Sequence, residues 1–289
     1  MSHFTVMVIS KDGDDIDELL APFNEQPEED DKFCQLEWSC EGADGNHYGP
    51  YDSKELLEEC LKAEGTTVGN GDPWCGNSDA HWDWYVVGGR WQGMLRLKEL
   101  AKSGIKGRPG TMGAPDLDPT TADSALKEDI DFDGMFSEAM KEATIRYANA
   151  MEIFGELPVH KSLDEWWDYY VKKMPDGTDR QVIRTEASKS WSEQPRVIAF
   201  AMAKEANEKF RLDADDFLMT EEVYVRKAKA NTICTHSVLE NGQWDEQGSM
   251  GWFGMSSDNV DQESWEEQVL QRIEAMSDDT RITIVDCHI

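Results

Sequence analysis

Basic residues are scarce in this 289-residue chain, which has 28 Lys and Arg against 59 Asp and Glu and a formal net charge of −31. A surface of this sign repels nucleic acid and anionic membranes through its long-range field. We therefore expect no direct binding to either, and attraction instead to proteins with basic clefts, such as DNA-handling enzymes. The alternative is that the acid excess only keeps the protein soluble.

Long apolar runs are also missing. No segment approaches the roughly 20 apolar residues of a membrane span, and Met1–Val6 lacks the basic and apolar regions that begin a secretory signal. The six cysteines are too scattered for a secreted disulfide scaffold; they lie at positions 34, 40, 60, 75, 234 and 287. These features predict a soluble cytoplasmic protein with reduced thiols.

Common catalytic motifs are missing as well. The chain contains no Walker loop, G-x-G-x-x-G, G-x-S-x-G or H-E-x-x-H. We therefore expect no enzymatic activity and no cofactor.

What is present indicates a folded core, since 39% of the residues are hydrophobic and 11 are Trp. Phe4–Ile9 and Ile282–Val285, the latter within a final strand predicted at Arg281–Ile289, are apolar on both faces, as in strands buried at the centre of a sheet. The pattern between them turns helical. We predict an α+β fold in which a mixed sheet domain, formed by both chain termini (1–114 and 215–289), carries a helical insertion (115–214).

Turn signals place two hairpins in the sheet domain. Asn241-Gly242 favours a type I′ turn between strands at 232–239 and 243–246. Gly88-Gly89 predicts another hairpin over Trp82–Leu97. The following residues include the only basic patch, between Arg90 and Arg108, and the Gly- and Pro-rich stretch 103–124 is interpreted as a linker or long excursion.

Helix signals are strongest in the middle of the chain. A period of three to four predicts a helix over Gly134–Phe154, and Ser162–Glu165 forms a capping-box pattern that opens an aromatic helix stopped by Pro175. Further helices are predicted at 53–63, 195–210, 220–230 and 261–276.

Two groups of residues could bind a metal. Asp129–Gly134 matches the first half of a calcium loop, but Met140 occupies the position of the bidentate Glu; the alternative is an acidic approach to a helix N-terminus. Seven Cys and His residues lie near strand ends: His3, Cys75, His81, Cys234, His236, Cys287 and His288. A zinc site is conceivable if the termini meet, although buried Cys is also ordinary core material.

Two aromatic and glycine-rich segments are candidates for a protein interface. One is Tyr85–Trp91 and the other is Gly248–Met255, which we also consider for a homo-oligomer interface. Trp, Met and Arg are enriched in interfaces, and acidic residues speed encounter. The predicted partner-binding residues are Met250, Trp252, Phe253, Trp91, Glu28, Glu29, Asp30 and Asp31.

Four strings carry a family resemblance: M-S-H-F-T-V-M-V-I, Y-V-V-G-G-R-W, G-S-M-G-W-F-G-M and I-V-D-C-H-I. They resemble a family of phage and prophage proteins that is similar to the phage inhibitors of the Gabija defence system. The resemblance implies a counter-defence protein, in the cytoplasm of a bacterial host, that binds an immune nuclease complex and blocks DNA binding or cleavage. The alternative is a metal-dependent hydrolase that uses the Cys and His group or the Asp129 loop.

The purified chain is predicted to hold no tightly bound metal, because the Asp129 loop lacks its Glu and no paired zinc-ligand spacing occurs. Elemental analysis of protein prepared without added metal checks this. Stoichiometric zinc or calcium would contradict it and favour the hydrolase.

Overall fold

The computed structural model describes residues 3–27, 32–41, 47–51, 53, 55–56, 58–59, 73–109, 118–203, 213–250 and 256–289. Seven α-helices have defined bounds in these ranges: α1 Ile16–Leu20, α2 Phe132–Phe154, α3 Leu163–Lys173, α4 Arg180–Ser192, α5 Pro195–Met202, α6 Glu221–Ala230 and α7 Gln262–Ala275. Short 3-10 helices span Ala21–Phe23, Lys127–Asp129 and Ala214–Phe217.

The same described ranges contain fourteen β-strands. They are β1 His3–Lys11, β2 Gln35–Glu41, β3 His47–Tyr51, β4 Pro73–Gly76, β5 Trp84–Gly89, β6 Leu95–Arg96, β7 Arg108–Pro109, β8 Thr121–Ala122, β9 Ser124–Leu126, β10 Ser237–Glu240, β11 Gln243–Glu246, β12 Gly248–Met250, β13 Ser256–Asp258 and β14 Thr280–His288. Within the described ranges, no helix combines the length and apolar character needed to cross a membrane.

A seven-stranded mixed sheet contains both terminal strands. Its order is β11-β10-β1-β14-β5-β7, and β9 also pairs with β14. β1 runs parallel to β10 and antiparallel to β14, with His3 opposite His288 and Lys11 opposite Thr280. The predicted α+β fold, with the two terminal strands in one mixed sheet, is confirmed. The predicted hairpin at Asn241-Gly242 is confirmed too, as β10 and β11 flank this turn.

Both faces of the sheet are buried at β1 and β14, where successive side chains point to opposite faces. One face forms a cluster with Leu20, Phe23, Trp82 and Leu239, to which β1 and β14 contribute Phe4, Val6, Val8, Val285 and Cys287. The alternate residues of these strands are also buried and include Met7, Ile9, Ile282 and Ile284. Burial on both sides explains why β1 and β14 have continuous apolar sequences rather than alternating ones.

The chain divides into two compact units, which we call the sheet unit (Met1–Asp131 and Cys234–Ile289) and the helical unit (Phe132–Ile233). The sequence placed the insertion at 115–214. Residues 118–131 join the sheet unit because β8 and β9 pair with β6 and β14. Residues 215–233 join the helical unit, in whose core Phe217 and Tyr224 are buried.

Several helices of the helical unit form where their local signals predict them, whereas α4 was not predicted. Ser162 and Glu165 form the expected capping box, and α3 ends just before Pro175. The core packs Ala143, Ala150 and Phe154 of α2 against Val197 and Phe200 of α5. Burying each large side chain stabilises the unit by about 1.5–3 kcal/mol relative to leaving it exposed.

The hairpin predicted over Trp82–Leu97 is wrong. β5 pairs with β14 and β7, whereas β6 pairs with β8. Gly88 and Gly89 do have positive φ, as a turn requires, but their role is a close approach to two buried carboxylates. A Cβ on Gly88 would lie 2.6 Å from Asp123 Cγ, and one on Gly89 would overlap Asp286.

These carboxylates organise the loops around the glycines. Asp123 is 1% exposed and accepts the amides of Gly93 at 2.5 Å and Gly107 at 2.6 Å. Asp286 is fully buried and accepts the amide of Arg90 at 2.9 Å. The interpretation of 103–124 as a linker is therefore wrong for its described residues, 103–109 and 118–124, since the Gly107 amide donates a hydrogen bond to the buried Asp123 carboxylate.

We predict that Gly88→Ala destabilises the sheet unit by about 3 kcal/mol, because backbone strain adds to a clash with a buried side chain. Gly242→Ala is the matched control. Its φ is also positive, but nothing lies within 4 Å of the added Cβ, so we expect about 1 kcal/mol. Urea unfolding measures both changes. Equal destabilisation would show that the approach to Asp123 contributes nothing.

Candidate functional site

Two histidines lie side by side where the terminal strands meet. His3 and His288 are directly opposite in the β1–β14 ladder, and their ring centroids are 5.1 Å apart. His3 Nδ1 lies 2.7 Å from Asp286 Oδ1, and His288 Nδ1 lies 2.6 Å from Asp83 Oδ1. Trp84 stacks on His288 with the ring planes 16° apart. We call these five residues the histidine cluster.

Strand register brings the cluster together. His288 is opposite His3 in β1 and opposite Trp84 in β5, because β14 lies between these two strands. Asp286 is two residues before His288 and therefore shares its face of the sheet. Asp83 immediately precedes β5, and its backbone amide donates to the His288 carbonyl at 2.9 Å.

A carboxylate on Nδ1 orients an imidazole and directs Nε2 towards a ligand or a proton acceptor. His288 is 5% exposed, and its buried Nε2 has no hydrogen-bond partner among the described residues. This is the arrangement found in general bases and metal-ligating histidines. The sequence did not reveal this pairing of histidines with carboxylates, because neither Asp83 nor Asp286 belongs to a recognisable motif.

The remaining members of the predicted Cys and His group lie elsewhere. His81 stacks on Trp244 with centroids 4.6 Å apart, and its Nδ1 is 3.2 Å from Glu246 Oε2. Burial raises the pKa of Glu246, but the contacts with His81 and Trp244 outweigh it and lower the pKa overall. His236 packs edge-on against Phe4, so it lies near the face opposite His3.

Neither Cys287 nor Cys234 is an activated nucleophile. Cys287 belongs to the apolar cluster of the other face, and burial, with the charges of Asp286 and Asp83, raises its thiol pKa well above the ordinary value. Burial and Glu266 also raise the pKa of Cys234. Cys34 is disulfide-bonded, so the expectation that all thiols are reduced is wrong for this residue.

A metal site in these groups was the alternative to the prediction that the chain holds no metal. Across the part of the chain that the structure describes, no three His, Cys, Asp or Glu residues are arranged to hold a metal ion. Asp129 accepts hydrogen bonds from the side chain and amide of Ser103 and from the amide of Lys102, and these lower its pKa. Asp131 pairs with Arg96 at 3.1 Å. Two carboxylates of the half calcium loop, those of Asp129 and Asp131, thus have protein partners.

Few of the predicted partner-binding residues can be compared with the structure. Trp91 is half-buried in the turn after β5, where its amide donates to the Gly88 carbonyl at 2.9 Å. Met250 ends β12. The others lie outside the described residues: Trp252, Phe253, Glu28, Glu29, Asp30 and Asp31. Of the helix predicted at 53–63, residues 53, 55–56 and 58–59 are described, and the last four of these are helical.

Charge is distributed very unevenly between the two units. The sheet unit carries 13 Lys and Arg against 40 Asp and Glu, a net of −27. The helical unit carries 15 against 19, a net of −4. An electrostatic attraction to a basic surface therefore acts on the sheet unit.

Exposed apolar surface has the opposite distribution. Of the 13 large hydrophobic side chains that are exposed within the described ranges, ten belong to the helical unit. α3 contributes Leu163, Tyr169 and Val171, and none of its eleven residues is buried although four are aromatic. The sequence predicted this helix but could not indicate that its apolar side chains are exposed to solvent.

No protein-family model, curated protein or solved structure matches this chain.

We predict that Cys287 reacts with iodoacetamide at pH 8 at least about 100-fold more slowly in the native protein than in urea. Only the thiolate is nucleophilic, and a raised pKa and burial both reduce its reactive fraction. Cys234 is the control, because it remains accessible to the reagent although partial desolvation raises its pKa, and it should react faster than Cys287. Mass spectrometry of tryptic peptides gives both rates. Equal rates at the two positions would contradict burial of Cys287.

Proposed function

We propose that this protein is a phage counter-defence protein that binds a bacterial immune nuclease complex of the Gabija type and blocks its access to DNA. The observation that supports this most is the concentration of negative charge on one folded unit, which carries a net of −27. An acidic surface on a structured scaffold is complementary to the basic clefts with which nucleases hold DNA. The motif resemblance of the four strings supports the same proposal.

The described part of the sheet unit contributes several exposed carboxylates to this acidic surface. Asp12, Asp14, Asp15, Asp17 and Glu18 surround the short helix α1, and all five are exposed. Asp278 and Asp279 are exposed in the turn that precedes β14. Arg281 of β14 pairs with Asp12 at 2.7 Å, so this acidic segment is attached to the rigid sheet. Preorganised charge costs less entropy on binding than charge on a disordered segment.

A metal-dependent hydrolase is the second candidate function. It is favoured by the histidine cluster, in which two imidazoles are oriented by carboxylates and one Nε2 is buried without a described partner. The Asp129 loop gives it less support, because Asp129 accepts the amides of Lys102 and Ser103 and Asp131 pairs with Arg96.

One experiment separates the two candidates. The protein is mixed with a reconstituted Gabija complex, and binding and DNA cleavage are measured with and without His288→Gln. An inhibitor that acts by binding should retain its effect in the variant, whereas a hydrolase should lose it. The proposal fails if the wild-type protein neither binds the complex nor reduces cleavage.

We predict that the effect of negative charge on the association rate depends on which unit carries the charge. Neutralising three exposed acids of the sheet unit (Glu18→Gln, Asp79→Asn, Asp278→Asn) should slow association with the complex several-fold at low salt, because steering depends on the local field. The matched control neutralises three exposed acids of the helical unit: Glu152, Glu156 and Glu222, each to Gln. Biolayer interferometry at two ionic strengths gives the association rates. If both triple variants slow association equally, only net charge matters and the location of the acids is irrelevant.

A further inference from the structure

Two arginines of the sheet unit differ from the other three in having no acidic partner. The five are Arg90, Arg96, Arg108, Arg272 and Arg281. Three of them pair with carboxylates: Arg96 with Asp131, Arg272 with Asp245 and Arg281 with Asp12. Arg90 and Arg108 are exposed, and their guanidinium groups form no ion pair or hydrogen bond with any described residue. This is unexpected in a unit that contains 40 acidic residues.

The two unpaired arginines lie close together at one edge of the sheet. β7 is the last strand in the sheet order, and its Arg108 is directly opposite Gly88 of β5. Arg90 follows Gly88 by two residues, in the turn after β5. Strand spacing and chain length therefore place the two backbones within about 12 Å of each other. We call Arg90 and Arg108 the arginine pair.

The two buried carboxylates hold the backbone of this pair. The Arg90 amide donates to Asp286 at 2.9 Å. The amide of Gly107, the residue before Arg108, donates to Asp123 at 2.6 Å. The backbone of both arginines is therefore fixed before a partner arrives, while the guanidinium groups stay available. Preorganisation of this kind lowers the entropic cost of binding.

We infer that the arginine pair binds a carboxylate side chain of the protein that the sheet unit recognises; this inference rests on the proposed function. The planar guanidinium presents paired donors that match a carboxylate, and arginine is the residue type best suited to ion pairs at interfaces. The contact thus supplies an attachment point of one charge sign within a surface of the other.

The field of the sheet unit selects a protein carboxylate over a phosphate of nucleic acid. Nucleic acid is a polyanion, which the net charge of −27 repels. A carboxylate on a basic protein surface belongs to a partner that the same field attracts. A basic partner without an acid at this position is disfavoured, because the arginine pair would face like charge. The pair therefore contributes to the choice and orientation of the partner.

Neutralising the arginine pair should have opposite effects on the two rate constants. Arg90→Gln with Arg108→Gln makes the sheet unit more negative, so a basic partner should associate as fast as before or faster. Dissociation should become at least about 10-fold faster, because the partner's carboxylate loses its donors. Biolayer interferometry with the reconstituted Gabija complex measures both rates, and circular dichroism verifies the fold. Arg108→Gln alone is measured if the double variant does not fold.

The matched control is Arg180→Gln with Arg184→Gln in the helical unit. Both side chains are exposed, and the change in net charge is the same, but the dissociation rate should stay at the wild-type value. An unchanged dissociation rate in the arginine-pair variant, or equal acceleration in both double variants, would overturn the inference and leave the proposed function intact. A wild type that does not bind the complex would overturn both.

A labelled DNA duplex tests the alternative ligand. Fluorescence anisotropy at physiological ionic strength should show no binding of the duplex by the wild type, because the sheet unit repels it. Binding by the wild type that is lost in the Arg90→Gln, Arg108→Gln variant would assign the arginine pair to phosphate and overturn its assignment to a carboxylate.

Discussion

The antiparallel ladder between β1 and β14 is the interaction on which the sheet unit depends. It aligns nine residue pairs, from His3 opposite His288 to Lys11 opposite Thr280. β14 also pairs with β5 and β9, and β1 also pairs with β10. Removing this ladder would leave the other strands of the sheet without a common partner, because the path from β10 to β5 runs through it.

The polar features of the sheet unit follow from the same ladder. A shift of the register by one residue would move His288 and Asp286 to the opposite face and separate them from His3. The buried pairing of His3 with Asp286 opposes such a shift, because the shift would leave a buried carboxylate without its partner. The buried carboxylates add a second constraint, because Asp286 is tied to Arg90 and Asp123 to Gly93 and Gly107.

Local signals made much of the fold predictable. The turn at Asn241-Gly242, the capping box at Ser162 and Glu165, and the apolar strands at both ends each depend on neighbouring residues, and each was confirmed. The assignment of Gly88-Gly89 failed because a positive φ indicates a turn but does not say what requires it. Here the requirement comes from Asp123 and Asp286, which are distant in sequence and carry no pattern of their own.

The candidate sites show the same limit. His3 and His288 could be selected from the sequence as members of a group near strand ends. Their carboxylate partners could not, since Asp83 and Asp286 are two among 59 acidic residues. The aromatic helix α3 was predicted from its cap and composition. The exposure of its side chains could not be predicted, because it depends on which other helices pack around α3 rather than on the periodicity of α3 itself.

The two units present different kinds of surface: the sheet unit carries most of the negative charge, and the helical unit carries most of the large apolar side chains that are exposed among the described residues. Negative charge on the sheet unit acts over a Debye length of about 10 Å at 0.1 M salt and is sensitive to ionic strength. Apolar surface on the helical unit acts only at contact and is much less sensitive to salt. A protein built this way can use two kinds of surface without one interfering with the other.

The position of β14 in the chain also sets an order of events during synthesis. Residues 132–233 leave the ribosome before β14, and their helices make mostly local contacts, which form quickly. β1 has to wait for β14 until the helical unit has been made. The nascent chain therefore carries an exposed apolar strand while its helical unit is already able to fold, and the acidic residues 12–31 that follow this strand act as gatekeepers against its aggregation.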